Sequence, residues 1–145
     1  MDGIRDARIN DTQEIANLLE QLGYAKPIDF VEKQLAKMLS DNSYKVIVYE
    51  QDGKAIALMT IHFYWQIGYE GEFANIGFFV VDSSVRSKGI GRLMEEYCTA
   101  LATERACAMI ELYSNEKRLD AHRFYERQGY KSYEKFFVKE IDKTE

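Results

Sequence analysis

Residues 74–81 read A-N-I-G-F-F-V-V, and this run constrains the fold more than any other segment. A nearly continuous apolar stretch of that length predicts a central strand buried on both faces. A short polar and basic segment follows, then Gly89-Ile90-Gly91-Arg92. Ile90, Leu93, Met94, Tyr97 and Leu101 recur at helical spacing, which predicts an amphipathic helix. A buried strand that turns directly into a helix is a βα unit, and its helix must pack back onto the sheet.

The remaining elements fit around that unit. The chain has 145 residues, enough for one core, and it is expected to form a single domain over residues 1–145. Residues 4–9 suit a first strand. Asp11, with Glu14 three positions on, resembles a capping box ahead of Ile15, Leu18, Leu19 and Leu22, and Gly23 is a natural stop. A second helix is expected from Asp29, with Glu32 at the reciprocal position and a stripe of Val31, Leu35, Met38 and Leu39. Strands at 44–50 and 55–65 flank a turn containing Asp52-Gly53, a hairpin signal. Residues 66–73 read as a loop. A strand at 107–113, a helix at 117–128 stopped by Gly129, and one or two strands within 130–141 complete a mixed α/β order.

Charge and composition narrow the function. A net charge of −5 argues against broad nucleic-acid binding, which needs a basic face. The longest apolar stretches are far too short to span a membrane, and the first ten residues lack an apolar signal-peptide core. A cytoplasmic chain is the expectation. Cys98, Cys107, His62 and His122 have no metal-site spacing, and no metal is expected. Both cysteines read as packing residues, Cys98 one position off the apolar stripe of its helix.

The loop after the central strand carries the chemistry. The first turn of a helix has unpaired N–H groups and a partial positive charge, so it attracts phosphate oxygens. Gly89 allows backbone angles closed to other residues, and Gly91 allows close approach to the main chain. Arg86, Lys88 and Arg92 place three cations there in an otherwise acidic protein. A Walker loop is excluded, because G-x-x-x-x-G-K-[ST] is absent. A dinucleotide fingerprint is excluded too, because Met94 stands where the third glycine is required.

Arg86-x-x-Gly89-x-Gly91 after an apolar strand resembles the diphosphate motif of the GNAT acetyltransferases. The segment Ala121-His122-x-Phe124-Tyr125-x-x-x-Gly129-Tyr130 is similar to that family's last-helix signature. The resemblance implies a mixed, mostly antiparallel sheet of six or seven strands flanked by four helices, with a bulge that splays the central strand from its neighbour. It implies acetyl-CoA as co-substrate. Its pantetheine arm would meet the backbone of Phe79, Val80 and Val81. Its diphosphate would meet Arg86 and the main chain of Ser87, Lys88, Gly89, Ile90, Gly91 and Arg92. Tyr125 would be the general acid for the departing thiolate. Asn115 would contact the cofactor, and Lys117 and Arg118 would serve an anionic group. His122 is expected to pack or cap. Residues 111–125 are similar to the aminoalkylphosphonate N-acetyltransferase branch.

One departure concerns the base. Many members carry a glutamate nine residues before the loop arginine, where this chain has Gly77. An alkyl ammonium is only about one part in a thousand neutral at pH 7, so a proton acceptor is needed. Glu72, Glu70 and Glu111 are candidates. Tyr24, His62, Tyr64, Trp65 and Tyr69 supply aromatic material for an acceptor cleft, with Tyr24, Tyr64 and Glu70 as substrate contacts. The expected activity is transfer of an acetyl group to a primary amine, of a small molecule, by direct attack. A protein-amine acetyltransferase and a non-catalytic acyl-CoA sensor are the alternatives. A homodimer is a family-level expectation.

Overall fold

The computed structural model describes residues 2–86, 88–113, 119–132 and 137–142. The chain forms two compact units, Met1–Leu112 and Tyr113–Glu145. The first holds strands β1 (Gly3–Asp6), β2 (Tyr44–Gln51), β3 (Lys54–Trp65), β4 (Glu72–Val81) and β5 (Met109–Leu112), with helices α1 (Thr12–Gln21), α2 (Ile28–Leu39) and α3 (Ile90–Glu104). The second holds α4 (Leu119–Arg127).

The strands lie in sequence order in one sheet. β1 to β4 are antiparallel neighbours, whereas β4 and β5 are parallel and joined through α3. The sheet is therefore mixed and mostly antiparallel, as expected, and the described residues form four α-helices. The described strands number five rather than six or seven. Of the segment expected to supply the rest, residues 130–132 and 137–142 are not strand, and 133–136 lie outside the described residues.

The sheet buries both faces. Ile15, Leu18, Val31 and Leu35 from α1 and α2 pack with Val46, Val48, Leu58 and Val80. Ile90, Met94, Cys98 and Ala102 from α3 pack on Ile47, Met59, Ile61, Phe63, Ala74 and Ile76. The α3 contact is thus a ridge of residues four apart. Cys98 lies at its centre, fully buried, and Leu93 is left exposed. Tyr97 and Leu101 of the expected stripe pack against the same cluster, so the stripe is corrected only at Leu93 and by the addition of Cys98 and Ala102. The true ridge contains small Ala102 and the thiol, which apolar counting underweights.

Two helix starts also differ from expectation. Asp11 does not pair reciprocally with Glu14. Its carboxylate takes two bonds from the Arg5 guanidinium at 2.8 and 2.9 Å and one from the Arg8 amide at 2.7 Å. Burial pushes the Asp11 carboxyl up, but these donors outweigh it and hold the group below the usual range. Glu14 instead accepts from the Ala55 amide at 3.3 Å. α2 begins after Pro27 rather than at Asp29, because proline's fixed φ suits a helix start. The hairpin turn is as expected, with Asp52 at φ 53° and Gly53 at φ 80°.

β4 begins at Glu72, two residues before its apolar run, because the chain is gripped there. The Ala108 amide donates to the Glu72 carbonyl at 2.7 Å. Gly71, at φ 92°, has its Cα so close to the α3–β5 turn that a Cβ would stand 2.5 Å from the Ala106 carbonyl oxygen. Gly71→Ala should therefore destabilise the first unit by roughly 2–5 kcal/mol, from left-handed backbone strain plus overpacking. Chemical denaturation checks this; a loss below about 1 kcal/mol would contradict the packing described.

Candidate active site

The site begins where β4 changes its pairing. β5 accompanies β4 from Phe73 to Ile76, where the partner is Leu112. Beyond Ile76, among the described residues, β4 pairs only with β3. Met59 faces Phe79 and Ile61 faces Ile76, so Gly77 and Phe78 together oppose Thr60. That is a β-bulge, with one extra residue on β4.

Its hydrogen bonds set the direction of each group. The Phe78 amide donates to Thr60 Oγ1 at 3.0 Å, and the Asp82 amide donates to the Ile56 carbonyl at 2.9 Å. Both point toward β3. Successive residues of a strand alternate their main-chain groups between its two edges. Phe79 and Val81 therefore turn theirs toward the side that β5 has left, and Val80 faces β3. On that side Arg86 Nε donates to the Val81 carbonyl at 3.1 Å.

The chain then enters the loop. The Asp82 carboxylate accepts from the Ser84 amide and hydroxyl, both at 2.9 Å. Those bonds hold it below the usual carboxylate range. The Ser83 amide donates to Gln21 Oε1 at 2.9 Å, which ties the loop to α1. Gly89 sits at φ 83°, in the left-handed region, and is the N-cap of α3. Arg86, Lys88 and Arg92 are exposed there. Ser87 lies outside the described residues, and so do Asn115, Lys117 and Arg118.

A second cluster lies on the face of the sheet that α1 and α2 cover farther along. Thr60, His62 and Tyr64 alternate along β3 and share that face. Asn75 pairs with His62 and Glu111 pairs with Asn75. Tyr64 Oη donates a short hydrogen bond to Glu111 Oε2. Asn75 Nδ2 donates to the same oxygen at 3.0 Å. Among the described residues the other carboxylate oxygen, Oε1, accepts no hydrogen bond. Tyr44, His62 and Tyr64 stack in a row, with ring centroids 4.3 and 5.5 Å apart. Tyr24 meets Phe78 edge-on at 5.1 Å, beside the bulge.

The other two carboxylate candidates are placed differently. Glu72 is held by Arg105, with bonds of 3.2 and 3.3 Å, and that guanidinium lies 3.9 Å over the Phe63 ring. Phe63 belongs to the α3 face, so Glu72 serves a structural ion pair on the opposite side from Glu111. Glu70, Trp65 and Tyr69 are exposed. Tyr69 meets Phe73 edge-on at 4.8 Å. The Cys98 thiol is pushed up to about 12 by burial, and burial raises Cys107 too, so neither is an activated nucleophile.

Sequence reading paired none of these groups. Asn75 and Thr60 went unnoticed, although an Asn and a Gly inside an otherwise apolar strand mark a place where packing gives way to polar contact.

In the second unit Tyr125 is half-buried and meets Phe124 and Tyr130 edge-on at 5.4 and 5.7 Å. Gly129, at φ 94°, ends the helix. His122 is half-buried on the same helix. No helix among the described residues is long and apolar enough to cross a membrane.

Comparison with known proteins agrees with this architecture. The chain is 27% identical over 142 residues to an aminoalkylphosphonate N-acetyltransferase of Salmonella typhimurium, covering 95% of this chain and 90% of that protein. A glucosamine-6-phosphate N-acetyltransferase structure from Arabidopsis thaliana superposes with a TM-score of 0.84 at 21% identity, covering 98% of this chain and 99% of that one. A Bacillus halodurans structure described as a transcriptional regulator superposes with a TM-score of 0.88 at 22% identity, covering 97% and 100%. At such identities the two structures establish the fold alone. The family model of the GNAT acetyltransferases matches residues 11–130. The chain belongs to the GNAT acetyltransferase family.

Proposed function

We propose that this protein transfers an acetyl group from acetyl-CoA to a primary amine of a small molecule, and that residues 1–145 act as one catalytic domain. The observation that carries the reading is the stretch of β4 beyond Ile76, which among the described residues pairs only with β3 and leads into the left-handed Gly89 and the start of α3. The family match, which runs across both units, supports it.

The residues present suit the cofactor. The main chain of Phe79 and Val81 is assigned by the family motif to an amide-bearing arm, beside the Val81 carbonyl that Arg86 holds. Val80 supports them through β3. The first-turn amides of α3, with Arg86, Lys88 and Arg92, suit a diphosphate. Ser87, Asn115 and Arg118 keep the cofactor roles that the family motif implies. Bound there, the thioester supplies an activated acyl group. A backbone N–H of the bulged strand is the donor proposed for its carbonyl oxygen. Tyr125 is the phenol assigned to the departing sulfur by the last-helix motif.

For the acceptor, Glu111 is favoured over Glu72 as the base. Two donors hold one of its oxygens, which leaves the other to take a proton from an ammonium group. Glu72 is committed to Arg105. The aromatic row ending at Tyr64, together with Tyr24, suits a small cationic amine. The likeness to an aminoalkylphosphonate N-acetyltransferase supports an amine that also carries an anionic group, and Lys117 and Arg118 are assigned to that group or to the 3′-phosphate of the cofactor. An amine panel containing aminoalkylphosphonates, polyamines and peptide N-termini tests the reading. Acetylation of a small amine supports it; turnover of peptides alone supports the protein-acetyltransferase alternative.

Three variants sharpen the test. Gly91→Val should weaken acetyl-CoA binding about tenfold or more by calorimetry, because a branched side chain obstructs a charge-assisted contact of about 1.5–3 kcal/mol. Valine is no worse than glycine within a helix, so thermal stability should hold. Tyr125→Phe should lower kcat on the order of a hundredfold with little change in the acetyl-CoA KM. Glu111→Gln should lower kcat/KM on the order of a hundredfold or more near neutral pH. The deficit should shrink as pH rises toward the amine's own pKa, where free base no longer needs a proton acceptor.

A further inference from the structure

One row of side chains crosses four strands on the face that carries Tyr64. Tyr44 on β2 stands opposite His62 on β3, His62 opposite Asn75 on β4, and Asn75 opposite Glu111 on β5. Directly paired residues share a face of a sheet. All four are half-buried.

The Asn75 amide has a fixed sense in this row. Its Nδ2 donates to Glu111 Oε2 at 3.0 Å, and Tyr64 Oη donates to the same oxygen. An ionised carboxylate only accepts, so the amide nitrogen is the atom that faces Glu111. Asn75 Oδ1 is thereby turned away from that carboxylate oxygen. Among the described residues it accepts no hydrogen bond, and neither does Glu111 Oε1. An amide carbonyl and a carboxylate oxygen, each with acceptor capacity to spare, therefore stand on adjacent strands about 4.8 Å apart. His62 is the register neighbour of Asn75, and Tyr64 holds Glu111, so two stacked aromatic rings border the pair.

We infer that Asn75 is a specificity-determining residue of the acceptor site: its side-chain carbonyl is the second acceptor, beside Glu111 Oε1, for the ammonium group of the substrate. The inference rests on the proposed function, in which Glu111 faces the amine. An alkyl ammonium carries three N–H donors and can serve both oxygens at once. A hydroxyl has one proton and serves only one, which leaves a polar group of the site unmet. The pair thus selects an amine over the matching alcohol.

Two substitutions separate this role from mere support of Glu111. Asn75→Leu removes both the carbonyl and the amide donor at similar volume. Asn75→Asp removes the donor to Glu111 but keeps an oxygen for the substrate. The measurement is calorimetric binding of an amine to the coenzyme A complex at about pH 8, where an alkyl ammonium keeps its charge. The probe is the panel amine with the highest kcat/KM, or spermidine when none turns over. Asn75→Leu should bind it about tenfold more weakly or worse, and Asn75→Asp at least as tightly as wild type, while the coenzyme A Kd stays within about threefold in both. Amine affinity in Asn75→Leu within about twofold of wild type overturns the inference, and so does an equal loss in the two variants, which would leave Asn75 only holding Glu111. Either result beside a wild type that acetylates an amine leaves the acetyltransferase reading standing. A wild type that binds amine and acetylates none overturns that reading instead, and the order of the two variants still decides the role of Asn75. A wild type that binds no amine of the panel overturns both.

Discussion

The bulge opposite Thr60 is the constraint on which the rest of the site depends. Up to Ile76, β4 is a central strand with neighbours on both sides. One residue later its ladder slips, and β5 no longer accompanies it. Among the described residues, β3 is then the only strand paired with β4. The slip falls at Gly77 and Phe78, between the buried Ile76 and the buried Val80. Phe73, Ala74, Ile76 and Val80 are buried, while Gly77 is exposed and Phe78, Phe79 and Val81 are half-buried. Packing secures β4 at both ends of the slip, and Phe78 meets Tyr24 between them.

The acceptor side follows from the same departure. Position 77 is a glycine, and a Cβ there would stand 2.9 Å from Thr60 Oγ1. Glu111, Asn75 and Tyr64 stand on β5, β4 and β3 at matching levels of one face, so adjacent strands supply a held carboxylate between them. In the proposed reading the proton-accepting role has moved sideways by one strand, and the chemistry is retained by a different route.

Much of this was legible in the sequence, for identifiable reasons. The α3 unit declared itself through a long apolar run and a helix of strong periodicity, and Asp52-Gly53 through its turn chemistry. The glycine and basic pattern of the loop pointed to phosphate before any fold was known. Cross-strand partners were not legible. Tyr64, Asn75 and Glu111 are far apart in the chain, and only the register of three strands brings them together. Asp11 was misread because a carboxylate before a helix looks like a cap, while its strongest partner, Arg5, comes from another element. Cys98 was misplaced because ridge packing selects residues by position and size rather than by hydrophobicity alone.

The central claim is that the opened edge of β4 and the start of α3 hold the acyl donor. The most direct measurement is a crystal structure of the protein with acetyl-CoA. The account predicts main-chain hydrogen bonds from Phe79 and Val81 to the pantetheine arm and the diphosphate seated on the amides that follow Gly89. A ligand bound elsewhere, with those strand groups uncontacted, would contradict it.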